Sequence, residues 1–88
     1  MTVADRFGAN LLSARRKARQ SQQVLADRAT LHRTEIGLLE NGKRMPRVDT
    51  VMKLAGALEA DPRDLLRGID WMPVENPAGC FHGSHWVP

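Results

Sequence analysis

Two sets of side chains in this 88-residue chain have types and spacing that could do chemistry. The first is a basic set, in which Arg33 is followed at a short interval by Lys43 and Arg44. A guanidinium group can form paired hydrogen bonds with O6 and N7 of guanine, and such a contact contributes ~1 to 3 kcal/mol of discrimination. Lys and Arg also neutralise phosphates. The basic set therefore favours a nucleic-acid partner.

The second set is Cys80, His82 and His85, near the C-terminal end of the sequence. Thiolate and imidazole are zinc ligands, but three candidates without a fourth at a familiar spacing do not make a typical zinc site. Serine, histidine and acidic residues occur elsewhere, yet no pattern places a nucleophile beside an oriented base. We therefore expect no metal, no cofactor and no enzymatic activity.

Size and charge narrow the class further. A chain this short buries only ~60% of the surface that it exposes when unfolded, so a large catalytic cleft is not expected. All 13 Lys and Arg residues lie at or before Arg67 with 8 of the 10 acidic residues, so this part carries 13 − 8 = +5 and the remainder −2. Such an excess favours phosphate-bearing partners, although many soluble domains carry as much. The single cysteine, the lack of a signal-like start and the lack of a ~20-residue apolar run predict a cytoplasmic protein without a membrane segment.

The elements that must position the basic set are helices. Apolar residues recur at helical spacing in several stretches, and Thr2, Ser21 and Asp61 are residue types that cap helix starts. The predicted helices run from about Val3 to Lys17, from Ser21 to Ala29, from about Arg33 to Asn41, through the stripe Val51 to Leu58, and from Asp61 through Leu65 and Leu66 to Gly68.

The break between the second and third predicted helices falls at Thr30 and Leu31 and is too tight for an ordinary loop. Gly42 is a natural left-handed stop for the third helix. This spacing is typical of a helix-turn-helix, whose second helix can stand proud of the surface at a width that fits the major groove of DNA.

From about Phe7 to Leu66 the chain resembles the phage-repressor, or Cro-like, helix-turn-helix family, also described as the xenobiotic-response-element type. The resemblance implies an all-α, compact five-helix lambda-repressor-like bundle, which we place at residues 1–68, followed by an irregular or short-strand aromatic tail at residues 69–88. The motifs that carry it are Ser21-Gln22, Leu25-Ala26, Arg28-Ala29, Ile36 with Leu39, and Glu40-Asn41-Gly42-Lys43-Arg44 followed by Pro46.

The resemblance also implies roles for individual positions. Arg15 and Glu40 match a pair that pins the first helix to the third, whereas Arg16, Lys17 and Arg19 are either a solvated face or contacts to the DNA backbone. The positions implied for base readout are His32, Arg33, Thr34, Gly37 and Leu38. Those implied for phosphate contact are Ser21, Gln22, Asn41, Lys43 and Arg44.

Two readout positions have distinctive chemistry. An exposed Leu38 fits a thymine methyl, or else it packs against the tail or a second subunit, while Gly37 would let the helix approach closely. Arg33 suits guanine unless it is a plain surface residue. We therefore expect at least one guanine and one thymine in each half-site.

Three positions depart from the family pattern. Thr30 and Arg19 stand where glycine is usual, and His32 replaces a usual Ser or Thr cap. A β-branched residue is unfavourable at positive φ, so the turn at Thr30 is either strained or differs in its backbone.

The tail is too apolar for a solvated linker, because each large apolar side chain offers ~1.5 to 3 kcal/mol on burial. It could pack beside the fifth helix, on a twin subunit as an added strand, or on another protein. The apolar tail residues are Trp71, Val74, Phe81, Trp86 and Val87.

Together these features predict a sequence-specific regulator of transcription, acting as a repressor on double-stranded DNA in the nucleoid. A homodimer on an inverted repeat would double the readout, with half-sites ~34 Å apart. The alternatives are an antitoxin or a restriction-modification controller with the same DNA-binding mode, or an adaptor that binds a protein partner through residues 69–88.

Overall fold

The computed structural model describes residues 1–73 and 80–82. The described residues form five helices and a two-stranded sheet, which confirms the all-α five-helix bundle. The elements are α1 (Val3–Lys17), α2 (Gln22–Ala29), α3 (Arg33–Glu40), α4 (Val48–Leu58), α5 (Pro62–Leu65), β1 (Asp70–Met72) and β2 (Cys80–His82).

Three predicted helix boundaries were wrong by one to three residues. Helix α3 ends at Glu40, with Asn41 as its cap, and α5 ends at Leu65, because Leu66 already leaves helical geometry with φ −103° and ψ 6°. Helix α4 begins at Val48, three residues before the apolar stripe that starts at Val51. Val48 is 81% exposed and Thr50, although buried, is polar, so the residues before Val51 add no apolar position to the stripe from which the helix was predicted.

The predicted caps at the helix starts are present. Thr2 and Asp5 satisfy one another's backbone N–H groups, and the Ser21 hydroxyl accepts a hydrogen bond from the Val24 amide at 3.1 Å. Asp61 accepts from both the side chain and the backbone of Arg63, and this lowers the pKa of the Asp61 carboxyl to about 2. His32 makes no capping bond with its side chain. The start of α3 therefore lacks the side-chain cap that α1, α2 and α5 have.

Four helices are followed, within two residues of their ends, by a residue in the left-handed region, namely Arg19, Thr30, Gly42 and Glu59. Behind Thr30, which has a φ of 56°, the amide of Leu31 donates to the Ala26 carbonyl at 2.9 Å. This bond closes the last turn of a helix and requires a left-handed residue before it. The structure thus selects the strained alternative for Thr30, since a β-branched residue occupies a conformation that suits glycine.

The core lies between the helices, and its largest fully buried side chains come from all five. Helix α1 crosses α3 so closely that a Cβ atom on Gly8 would lie 2.4 Å from the Leu39 carbonyl oxygen. Ala18, Val24 and Leu66 are apolar but exposed, so they lie outside this core. The largest buried side chains are Phe7, Leu11, Leu25, Ile36, Leu39, Leu54 and Leu65.

Two short antiparallel strands follow the bundle. Asp70 pairs with His82, Trp71 with Phe81, and Met72 with Cys80. The short-strand form of the tail is therefore present where the chain is described. The predictions for Val74, His85, Trp86 and Val87 lie outside the described residues. None of the helices in the described ranges has the length and apolar character that a membrane span needs.

Candidate nucleic-acid interface

Helix α3 has one side buried in the core and one side turned outward. Ile36 and Leu39 are fully buried. Positions three and four apart share a helix face, so residues 33, 34, 37 and 38 lie together on the opposite side. Arg33 and Thr34 are exposed, whereas Leu38 and Gly37 are partly buried. Four positions assigned to base readout thus form one surface, with the exposed His32 at its N-terminal end.

Gly37 has no packing role that would explain the absence of a side chain. A Cβ atom built there would meet nothing within 4 Å. Glycine inside a helix is less favourable than alanine by about 1 kcal/mol. Packing within the described part of the chain therefore does not explain why this unfavourable residue stands at the centre of the surface.

An ion pair fixes α3 against α1. Arg15 Nε donates to Glu40 Oε2 at 2.5 Å and Arg15 Nη2 donates to Glu40 Oε1 at 3.2 Å. The side chains of Arg15 and Glu40 are only 14% and 4% exposed. Arg15 Nη1 also donates to the Gln20 carbonyl at 3.0 Å, so the pair extends to the segment that leads into α2. The two charges hold the relative positions of the first three helices.

The first residue of α2 joins the same network. Gln22 Nε2 donates to Glu40 Oε1 at 2.9 Å, and the Ser21 hydroxyl accepts from the Val24 amide. A side-chain amide carries two hydrogens, so one remains for an acceptor outside the protein. The start of α2, with its positive dipole end, is a suitable place for an anion.

The loop after α3 carries the remaining basic residues. Asn41 donates through its side chain to the Gly37 carbonyl at 2.9 Å, and the Lys43 side chain is exposed. Arg44 Nη1 donates to Glu35 Oε1, which links the loop to the first turn of α3. Sequence reasoning missed Glu35. In the sequence, Glu35 is marked only by a charge opposite to that of Arg44, nine positions later. Residues so far apart are not expected to touch, and they meet here because the chain reverses at Gly42.

Sequence reasoning also missed an apolar surface, which we call the apolar face. It surrounds an open groove of about 250 Å³ and includes several exposed large side chains, with Met45, Val48 and Met52 among them. The face combines residues of α1, the α3–α4 loop, α4 and α5, so no single stretch shows it as a pattern. Its lining residues are Val3, Phe7, Met45, Pro46, Val48, Val51, Met52, Pro62, Leu66 and Ile69.

Within the described residues we find no metal site to set beside the surface around α3. No group of three or more His, Cys, Asp or Glu side chains within the described ranges could hold a metal ion. Of the three metal candidates in the sequence, His85 lies outside those ranges. The surface around α3 is thus the candidate site.

The bundle and the exposed outer side of its third helix define a protein of the helix-turn-helix class. A family profile described as Helix-turn-helix matches residues 12–65, and the chain belongs to this family. Control protein C.BamHI of Bacillus amyloliquefaciens is 42% identical over 50 residues, which cover 57% of this chain and 62% of that protein. The match therefore spans less than two thirds of that relative's length.

Solved structures give the same fold. The restriction-modification controller protein C.AhdI from Aeromonas hydrophila superimposes with a TM-score of 0.69 at 35% identity, covering 70% of this chain and 94% of that one. The clp gene regulator ClgR from C. glutamicum superimposes with a TM-score of 0.72 at 23% identity, covering 75% and 86% of the two chains. The second likeness shows the fold alone.

Proposed function

We propose that this protein is a sequence-specific DNA-binding regulator of transcription, a repressor that reads the major groove with the outer side of α3. The observation that carries the proposal is Gly37, an open helix position beside exposed Arg33 and Thr34. A backbone without a side chain can approach base edges closely, and Arg33 has the donor geometry for guanine. Leu38 supplies an apolar contact for a thymine methyl, and His32 lies at the mouth of the groove.

Phosphate contacts would flank this readout on both sides. Ser21 and Gln22 lie at the start of α2, and Asn41, Lys43 and Arg44 lie at the far end of α3. If each subunit pair makes ~6 to 10 such contacts, binding weakens ~10³- to 10⁵-fold between 50 and 200 mM salt. The protein would act in the cytoplasm, on the nucleoid, without catalysing a reaction.

A homodimer would pair through the apolar face. In an isologous contact the same surface of each subunit faces its copy, so like residues lie close together. Apolar side chains tolerate this arrangement, whereas like charges repel one another. Among the described residues, none that lines the apolar face is charged, and its member Met45 directly follows the basic Lys43 and Arg44. Two copies joined there would bring their basic loops near the twofold axis and give the symmetry of an inverted repeat.

The first experiment is selection of the full-length protein against a random duplex library, with sequencing of the bound pool at moderate salt. We expect a twofold-symmetric site with guanine and thymine in each arm. Arg33→Ala should relax the preference at one base pair, whereas Lys43→Ala should weaken all sequences about equally. Retention without a motif, or no retention, would contradict the proposal and favour an adaptor.

The dimer is tested separately by sedimentation of the free protein. Val48→Glu should convert a dimer into a monomer, because it places a charge in the apolar face. Val24→Glu, at an exposed apolar residue of α2 outside that face, is the matched control and should leave the mass unchanged. A monomeric wild-type protein, or a Val48→Glu variant of wild-type mass, would contradict this interface.

A narrower role is control of a restriction-modification system. It is favoured by the likeness to two control proteins, C.BamHI and C.AhdI. The selected site should then occur upstream of restriction-modification genes beside the gene for this chain. If the selected site occurred only beside other genes, the proposed DNA-binding function would still hold, but the proposed control of a restriction-modification system would be wrong.

A further inference from the structure

Glu35 is an acidic residue at the edge of the proposed DNA surface. It lies in the first turn of α3, between the buried side of the helix and the readout side. Its side chain is 23% exposed, and its carboxylate accepts a hydrogen bond from Arg44, whose side chain is 52% exposed. The contact joins the helix that would read bases to the loop that would hold a phosphate.

An unpaired carboxylate at this place would repel the DNA backbone. The Arg44 guanidinium cancels the charge, and it uses one of its five N–H donors for Glu35 in doing so. The other donors remain for a phosphate, and guanidinium groups bind carboxylates and phosphates with the same planar geometry. Arg44 can therefore bridge Glu35 and a phosphate without breaking the bond seen in the free protein.

We propose that Glu35 is a positioning residue for DNA recognition, which orients Arg44 towards one phosphate and so couples the phosphate contact to the register of α3. This inference rests on the proposed function. Glu35 is part of α3, so the bond to Glu35 fixes the Arg44 guanidinium relative to that helix. Arg44 then reaches a phosphate only when α3 is correctly aligned with the bases. Without Glu35, the Arg44 side chain would bind any nearby phosphate, and specific and non-specific DNA would become harder to distinguish.

The test compares Glu35→Ala with Asp64→Ala. Both acids lie in the first turn of a helix, and both pair with an exposed arginine, Asp64 with Arg67 Nη2 at 2.7 Å. Each substitution adds one unit of net positive charge, but Asp64 is on α5 and outside the proposed interface. Dissociation constants are measured for the selected duplex and for a scrambled duplex over a range of salt concentrations.

We expect Asp64→Ala to tighten both duplexes about equally, so that their affinity ratio is unchanged. Glu35→Ala should lower that ratio by about 2- to 10-fold, the range expected from the cost of ordering one long side chain. In an Arg44→Ala background, Glu35→Ala should lower the ratio no further, because the two residues act as one unit.

Several results would overturn the inference. An unchanged ratio would make the pair an ordinary surface ion pair, and an equal loss in the Arg44→Ala background would show that Glu35 does not act through Arg44. Altered preference at a single base pair would mean that Glu35 reads a base directly. A wild-type protein without a preferred site would instead contradict the proposed function, and the two failures are thereby distinguished.

Discussion

The inner and outer sides of α3 are built under opposite constraints. On the inner side, Ile36 and Leu39 are fully buried, and Gly8 of α1 passes so close that no side chain would fit between the helices. On the outer side, Gly37 has open space around it. Packing thus requires glycine at position 8 but does not require it at position 37. Substitutions on the inner side should change stability, and those on the outer side should change DNA binding.

The largest expected effect is on the inner side, at the ion pair. Arg15→Ala leaves the Glu40 carboxylate buried, and of the side chains that the structure describes only the Gln22 amide still donates to it. Removing one partner of a buried pair costs about 3 kcal/mol or more, so we expect the free energy of unfolding to fall by that amount. Denaturant unfolding measures it.

The matched control is Arg44→Ala, which breaks an exposed ion pair to the same helix. Exposed pairs contribute up to about 1 kcal/mol. An equal loss of unfolding free energy in Arg15→Ala and Arg44→Ala would mean that burial of the Arg15–Glu40 pair has no energetic consequence. It would contradict the expected difference in stability between the inner and outer sides of α3.

The second effect tests the helix crossing. In Gly8→Ala, the new methyl group would lie 2.4 Å from the Leu39 carbonyl oxygen and 2.7 Å from that of Glu40, so α1 and α3 must separate. Overpacking of this kind costs about 1 to 3 kcal/mol. Thermal unfolding should show a midpoint lower by roughly 4 to 8 °C for each kcal/mol in a domain of this size. An unchanged midpoint would mean that the crossing is looser than the structure shows.

The third effect concerns two helix glycines that both have open space around them. A Cβ atom at Gly37 of α3 or at Gly56 of α4 meets nothing within 4 Å. Gly37→Ala and Gly56→Ala should therefore each stabilise the protein by about 0.5 to 1 kcal/mol through helix propensity. Only Gly37→Ala should weaken specific DNA binding, by about tenfold, which corresponds to about 1.4 kcal/mol.

Equal DNA affinity for the two glycine variants would contradict the close approach at Gly37. A loss of stability in Gly37→Ala would instead show that the position has a packing role inside the protein. Binding isotherms and melting curves recorded on the same preparations separate these outcomes.

The smallest effect concerns the turn that joins α2 to α3. Thr30→Gly removes a β-branched residue from a φ of 56°. Glycine removes the backbone strain of the folded state, but it also raises the conformational entropy of the unfolded chain. We expect the first contribution to be slightly larger, so the free energy of unfolding should rise by about 0.5 to 1 kcal/mol. DNA affinity should stay the same, since the backbone already has the required shape. Loss of stability on this substitution would argue for an unrecognised contact of the threonine side chain.

Much of the fold could be predicted because helix starts depend on neighbouring residues. A capping side chain acts on amides two or three positions away, and Thr2, Ser21 and Asp61 were found on that basis. The start of α4 was missed because its first turn has an exposed Val48 and an Arg47 cap without a side-chain bond. A periodic pattern of apolar residues reveals buried apolar positions, and the residues of α4 before Val51 provide none.

The positions of the candidate site were implied by the family resemblance. Helix geometry adds that Arg33, Thr34, Gly37 and Leu38 share one face once the buried positions of α3 are known. Local sequence patterns were thus sufficient for the helical class and for the position of the break between α2 and α3. These depend on interactions within one or two helical turns.

Only the tertiary structure decided which distant residues meet. Glu35 and Arg44 come together because the chain reverses at Gly42, and the apolar face exists because α1, α4 and α5 converge around one groove. The near contact of Gly8 with the Leu39 carbonyl likewise requires α1 to cross α3 at one distance. The physical reason is that such contacts are set by how all helices pack around a shared core, and no local pattern of residues specifies that arrangement.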